Sequence, residues 1–178
     1  MITEVGYSAL SIEAVAARAR VGKATVYRWW PRKVDLVVEA LHDSALELVP
    51  EPDTGSLRDD VRELIEGLVA LVSSPVGQVL AEVWSESERS PELKAALERV
   101  FLTRRRQVSR GVLDKAAKRL EVSEGLDIDL VSEVVVAAVF YRAKMGNEGL
   151  GKEFIDSLTD LLMSGIAANA STMTRNLR

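Results

Sequence analysis

Apolar residues recur at steps of three and four through almost every segment of this chain, and no segment shows the sustained two-residue alternation of a half-buried strand. Val61, Leu64, Ile65, Leu68, Leu71 and Val72 keep the spacing three, one, three, three, one, which places them on one face of a helix. The chain is therefore expected to be all-α. The Val-rich run Val134 to Tyr141 lies in a long segment without an internal turn signal and reads as helix rather than buried strand.

Caps and breakers divide the chain. Ser11 is placed to cap a helix through Ala19, with Ile12, Val15, Ala16 and Ala19 on one face. The break Arg20-Val21-Gly22 separates it from a second short helix, Lys23 to Trp30, which Pro31 stops. A helix from Lys33 to about Val49 and a Pro/Gly-rich loop over 50–55 follow. Ser56 caps the next helix, Pro75 opens one to about Glu86, and Pro91 opens one to about Leu120. After a linker over 121–128, the last two helices are expected at Asp129 to Met145 and Lys152 to about Ala168.

Charge is unevenly placed. The net charge is -4, yet residues 11–33 hold Arg18, Arg20, Lys23, Arg28, Arg32 and Lys33 against Glu13 alone. A basic stretch in an acidic chain gives one face that approaches phosphates while the remainder repels polyanions. Two short helices joined by a tight turn, the second basic and aromatic, are what reading DNA in the major groove requires. Lys23, Ala24, Thr25 and Arg28 then face base edges: Arg28 by bidentate pairing with guanine, Thr25 and the Ala24 methyl by meeting a thymine methyl or a phosphate. Tyr27, Trp29 and Lys33 suit phosphate contacts, which set register without reading sequence, with packing in the core an equal alternative for Trp29.

These residues carry a family resemblance. Gly6-Tyr7, the capped run Ser11-Ile12-Glu13-Ala14-Val15-Ala16, and the run from Lys23 through Trp30-Pro31-Arg32-Lys33 resemble the DNA-binding domain of the TetR family. The resemblance implies a three-helix, helix-turn-helix DNA-binding domain over residues 1–48, including the start of a linking helix, and a helical ligand-binding and dimerisation domain over 49–178. It makes Tyr27 and Lys33 phosphate contacts, Lys23 to Thr25 the base-approaching start of the recognition helix, and Trp30 a buried aromatic. Three departures follow. Only Met1 to Val5 precede Gly6-Tyr7, so most of the family's first helix is expected to be missing. Arg20 stands where a Gly or similar residue is usual, and Gly22 where Ser often caps the recognition helix.

Other chemistry finds little material. With no Cys and one His, the chain offers no thiolate or His-built metal site, and no cofactor is expected. No Ser, His and acid arrangement suggests a nucleophile, and no Gly-rich loop follows a strand. An enzyme is not expected. Arg104-Arg105-Arg106 spread around their helix and cannot all face one ligand. Trp84, Phe101, Arg105, Phe140, Tyr141 and Met145 are candidates for lining an effector pocket, against the plainer reading of apolar core. His42 is given no role.

The last two helices carry apolar residues on more than one side: Leu130, Val134, Ala137, Ala138 and Tyr141 on the first, Phe154, Ile155, Leu158, Leu161, Leu162 and Ile166 on the second. Pairing them across a two-fold axis would cover the extra face, whereas a large intramolecular core is the alternative. With no basic start before an apolar run and no apolar stretch long enough to span a bilayer, the expected place is the cytoplasm. The function expected is a homodimeric transcriptional regulator, a repressor released from a palindromic operator on double-stranded DNA by a small-molecule effector. The alternative is a helical ligand-binding or protein-interaction module that keeps the fold but not operator binding.

Overall fold

The computed structural model describes residues 1–49, 51–122, 127–145 and 149–166, excepting the side chains at 46, 102, 105, 128 and 166. Its described elements are helices: α1 (Ile2–Ala9), α2 (Ile12–Ala19), α3 (Lys23–Trp29), α4 (Lys33–Leu46), α5 (Leu57–Ser73), α6 (Pro75–Ser87), α7 (Pro91–Leu97), α8 (Thr103–Lys118), α9 (Ile128–Met145) and α10 (Lys152–Ile166). The all-α expectation holds. No single described helix is long and apolar enough to cross a membrane.

The chain divides into two compact units. The first comprises Met1–Leu48 and Ala70–Arg104, so that α6 and α7 belong with the helix-turn-helix and pack on α1 and α4. Here α1 is two short pieces, because Gly6 takes a φ of 72° that interrupts the helix. Ser11 caps α2 as expected, its hydroxyl oxygen accepting from the Ala14 N–H at 3.1 Å. At the other end Arg20 adopts the left-handed conformation (φ 56°, ψ 39°), Val21 N–H reaches Ala16 O at 3.0 Å, and Arg20 N–H reaches Ala17 O at 3.2 Å. That pair of bonds is a Schellman motif, built on a residue with a Cβ.

Ile12, Ala16 and Val26 form the buried centre of the helix-turn-helix, with Trp30 and Leu36 packed against it. On α4, Val34, Val37, Val38, Leu41 and Ala45 are buried at helical spacing. Ser74 and Ser90 cap α6 and α7, each followed by Pro at the first turn. Gly77 lies so near the end of α5 that a Cβ would stand 2.1 Å from Leu71 O, which only glycine accommodates. The long helix expected from Pro91 to about Leu120 runs unbroken through α7 and α8, with a π turn, Glu98–Leu102, between them.

In the second unit, Val49–Val69 with Arg105–Arg178, Gly55 (φ 89°) turns the chain into α5. Leu57, Val61 and Ile65 of α5, Val112, Leu113 and Ala116 of α8, Val139 of α9, and Ile155, Leu158 and Leu162 of α10 are buried. A polar clasp holds the start of α5. Fully buried Asp60 accepts from both the Thr54 N–H and hydroxyl at 2.7 Å, and Arg119 lies 3.3 Å away. Glu121 accepts the otherwise unpaired Leu57 N–H at 2.8 Å and also pairs with Arg119. Along the other side of α5, Arg58 pairs with Asp160 at 2.6 Å and Arg62 with Asp156, joining it to α10.

Candidate nucleic-acid interface

The geometry of α3 follows from how little of it is buried. Within this seven-residue helix only Val26 enters the core, leaving Lys23, Ala24, Thr25, Tyr27, Arg28 and Trp29 exposed. A short helix anchored by one apolar residue presents the rest of its surface outward, the arrangement a groove-reading helix needs. Trp29 is 68% exposed, and the Arg28 guanidinium lies 6.0 Å from its ring centre. Trp30, next to it, packs against Ile12, Ala16 and Val26 and is half-buried rather than fully enclosed.

The basic stretch is less uniform than its sequence suggests. Arg18 pairs with Glu4 on α1, and Arg32 pairs with Asp35 at 2.5 Å and with Glu92 on α7. The bond to Asp35, with the Glu92 charge adding to it, raises the Arg32 pKa; the same Arg32 bond lowers that of Asp35. Arg20, Lys23, Arg28 and Lys33 have no ion pair among the described residues. Two of the six positive charges are thus already met by carboxylates, and four remain to act outward.

Two contacts at the edge of α3 were not foreseen. The Tyr27 hydroxyl donates to Glu13 Oε1 at 2.8 Å, which lowers the Glu13 pKa and raises that of Tyr27. Lys33 Nζ lies 4.2 Å from the Tyr7 ring centre and donates to Ser8 O at 3.2 Å. Burial, aided by the charges of Glu92 and Glu86, raises the Tyr7 pKa. Partners 14, 26 and 25 residues apart carry no local periodic signal.

The residues expected at an effector pocket are not gathered in one unit. Half-buried Trp84 and Phe101 belong to the first, where the Phe101 ring meets His42 edge-on at 6.0 Å. Phe140, half-buried, belongs to the second; Tyr141 and Met145 beside it are 70% and 72% exposed. The side chain of Arg105 lies outside the described residues. Tyr141 and Met145 instead continue an exposed stripe on α9 through Leu130, Val134 and Ala137, at steps of four, three, four and four. No group of His, Cys, Asp and Glu able to hold a metal occurs among the described residues.

A helix-turn-helix with an outward, basic second helix defines a DNA-binding regulator, and the comparisons agree. Residues 1–40 match the family model described as bacterial regulatory proteins, tetR family, and residues 51–162 match the tetracyclin repressor-like, C-terminal domain. An HTH-type transcriptional regulator of Mycobacterium bovis is 32% identical over 90% of this chain and 79% of its own. One of Bacillus subtilis, YdeS, is 27% identical over 97% of this chain and 87% of its own. A crystal structure of a TetR family transcription regulator superposes with a TM-score of 0.79 at 23% identity, covering 94% of this chain and 92% of that one. The flavonoid-responsive regulator FrrA has a TM-score of 0.69 at 21% identity, covering 95% and 92%.

The chain belongs to the TetR family of helix-turn-helix transcriptional regulators. Its function is DNA-binding regulation of transcription, and its relatives and fold neighbours are regulators rather than enzymes.

Proposed function

We propose that the protein is a homodimeric repressor whose α3 helices enter successive major grooves of a palindromic operator, about 34 to 36 Å apart. The observation that carries this reading is the outward face of α3, where Lys23, Ala24, Thr25, Tyr27, Arg28 and Trp29 are exposed around a single buried Val26. Arg28, with Lys23 to Thr25, reads base edges; Tyr27, Trp29 and Lys33 meet the backbone. Dimerisation uses the exposed apolar stripe of α9 together with Leu161 of α10, since an apolar row of that length in water favours association with a second copy.

Release comes from a small molecule bound in the helical C-terminal domain, with half-buried Phe140 part of its surroundings. Such a ligand acts only by binding the two DNA-binding states differently, and a 100-fold loss of operator affinity needs about 2.7 kcal/mol of difference. FrrA, whose name describes a flavonoid response, shares this fold. The site of action is the cytoplasm, where DNA and effector meet.

A mobility-shift titration of the protein against DNA upstream of its own gene tests the reading. A salt-sensitive complex that prefers this DNA over random duplex, and that an effector screen dissolves, is the expected result. Absence of any sequence-preferring complex would leave a helical interaction module instead.

A further inference from the structure

The Gly6-Tyr7 pair that marks the family resemblance is not among the proposed DNA contacts, yet it meets one of them, Lys33, directly. Gly6 turns the chain with φ 72° and ψ 172°, bringing Tyr7 and Ser8 beside the first residue of α4. That residue is Lys33. Its ammonium lies 4.2 Å from the Tyr7 ring centre and donates one N–H to Ser8 O at 3.2 Å.

A lysine is poorly suited to this position by electrostatics alone, because the N-terminal end of a helix carries partial positive charge. The electron-rich ring face and the carbonyl oxygen counter that repulsion without neutralising the ammonium. Arg32, one residue earlier, has Asp35 and Glu92 for its charge, whereas Lys33 has no carboxylate partner among the described residues. One of its three N–H groups is bonded to Ser8, a flank is covered by the ring, and the rest of the ammonium remains for an external anion.

We propose that Tyr7 is a positioning residue for DNA binding: the elbow Gly6-Tyr7-Ser8 holds the Lys33 ammonium in one place so that it meets a backbone phosphate without first being ordered. The inference rests on the reading of Lys33 as a phosphate contact. Tyr7 touches no DNA in this scheme; it acts through Lys33, limiting the freedom that a four-carbon side chain loses on binding. Only the ring face is required, so Tyr7→Phe retains the function and Tyr7→Leu does not. The Tyr7 hydroxyl takes no part in this scheme.

The test is a double-mutant cycle on the full chain, read as affinity and salt slope for operator and random duplex. Tyr7→Leu should weaken both kinds of binding severalfold and alike, with no loss beyond that of Lys33→Ala when the two are combined. Tyr7→Phe should bind as wild type. Lys33→Ala should reduce the salt slope by about 1. Ring-current shifts of the Lys33 ε-methylene protons, present in wild type and Tyr7→Phe and absent in Tyr7→Leu, report the contact without DNA. Losses that multiply in the double variant, or wild-type binding by Tyr7→Leu, would overturn the inference while leaving the Lys33 reading intact. A Lys33→Ala variant with unchanged affinity and slope would overturn both.

Discussion

The Tyr27 hydroxyl on α3 donates its single proton to the Glu13 carboxylate on α2, at 2.8 Å. A hydroxyl that meets a DNA phosphate must donate that same proton to it, so Glu13 and the phosphate compete for one donor. The carboxylate would also lie close to a phosphate of like charge, which adds repulsion.

Glu13→Gln should therefore tighten binding to operator and random DNA alike, by roughly threefold, the scale of one exposed and screened charge contact. Fluorescence anisotropy on both duplexes measures it, and weaker binding would show instead that Glu13 orients Tyr27 for contact. The Tyr27 bond lowers the Glu13 pKa, so the carboxylate is ionised at neutral pH. The contact is fully present above the ordinary carboxylate range and is lost as pH falls through the lowered value. The difference between wild type and variant should stay flat around neutrality and shrink only as pH falls below the ordinary carboxylate range.

Base reading and backbone contact should separate in Arg28 and Lys33. Arg28→Ala is expected to cost about 1 to 3 kcal/mol at one base position, relaxing preference there. Lys33→Ala should weaken every sequence alike. Competition titrations against operators changed one base pair at a time distinguish the two, and equal losses on operator and random DNA for Arg28→Ala would refute its role in reading.

How far the sequence predicted these features depended on the range of the signal. Ser11, Pro75 and Pro91 act within one helical turn of themselves, and each helix they open begins where the cap or proline implied. The exposed α3 was equally legible, because its basic residues Lys23 and Arg28 lie within one short helix. The clasp of Asp60, Arg119 and Glu121 was not: its members are 59 and 64 residues from their partners and look like ordinary surface charges in the sequence. The net charge of residues 11–33 misled in the same way, since Glu4, Asp35 and Glu92 lie outside that window yet neutralise Arg18 and Arg32. The π turn at Glu98–Leu102 changes the hydrogen-bond register inside a continuous helix without any Gly or Pro to announce it.

Placing a charge in the α9 stripe tests the proposed dimer. Val134 and Tyr141 are exposed on one chain, so Val134→Asp with Tyr141→Glu costs the isolated subunit little stability. In a two-fold interface the same charges occur on both copies and face apolar surface, which opposes association. Light scattering should give a monomer near 19.5 kDa for the variant and twice that for wild type. A wild-type monomer at micromolar concentration would remove the basis for paired α3 helices.

Asp60 should contribute to the acid sensitivity of the second unit. Burial pushes its carboxyl pKa up, but the Thr54 N–H and hydroxyl and the Arg119 guanidinium outweigh burial and hold it below the usual value. Its contribution to stability is complete above the ordinary carboxylate range and is lost as pH falls through the lowered pKa. Asp60→Ala leaves Arg119 and the Thr54 donors without their shared acceptor and should cost about 2 to 4 kcal/mol in urea unfolding at neutral pH. The variant should also lose part of the acid dependence seen in wild type; an unchanged acid profile would place that sensitivity elsewhere.

Arg20 and Leu120 end α2 and α8 in the same way. Glu121 N–H reaches Ala116 O at 3.0 Å and Leu120 N–H reaches Ala117 O at 3.0 Å, the bonds that Val21 and Arg20 make one motif earlier. Both residues take a positive φ, 56° and 61°, where a Cβ meets the following carbonyl. Leu120 is 74% exposed and so gains little from packing that would offset this strain. Leu120→Gly should stabilise the protein by about 0.5 to 1 kcal/mol, the relief of the left-handed strain less the greater freedom glycine has in the unfolded chain. Urea unfolding measures it, with Leu120→Ala as the control that keeps the strain and removes the side chain. If both variants shift the midpoint equally, the exposed apolar surface rather than the backbone conformation determines the effect.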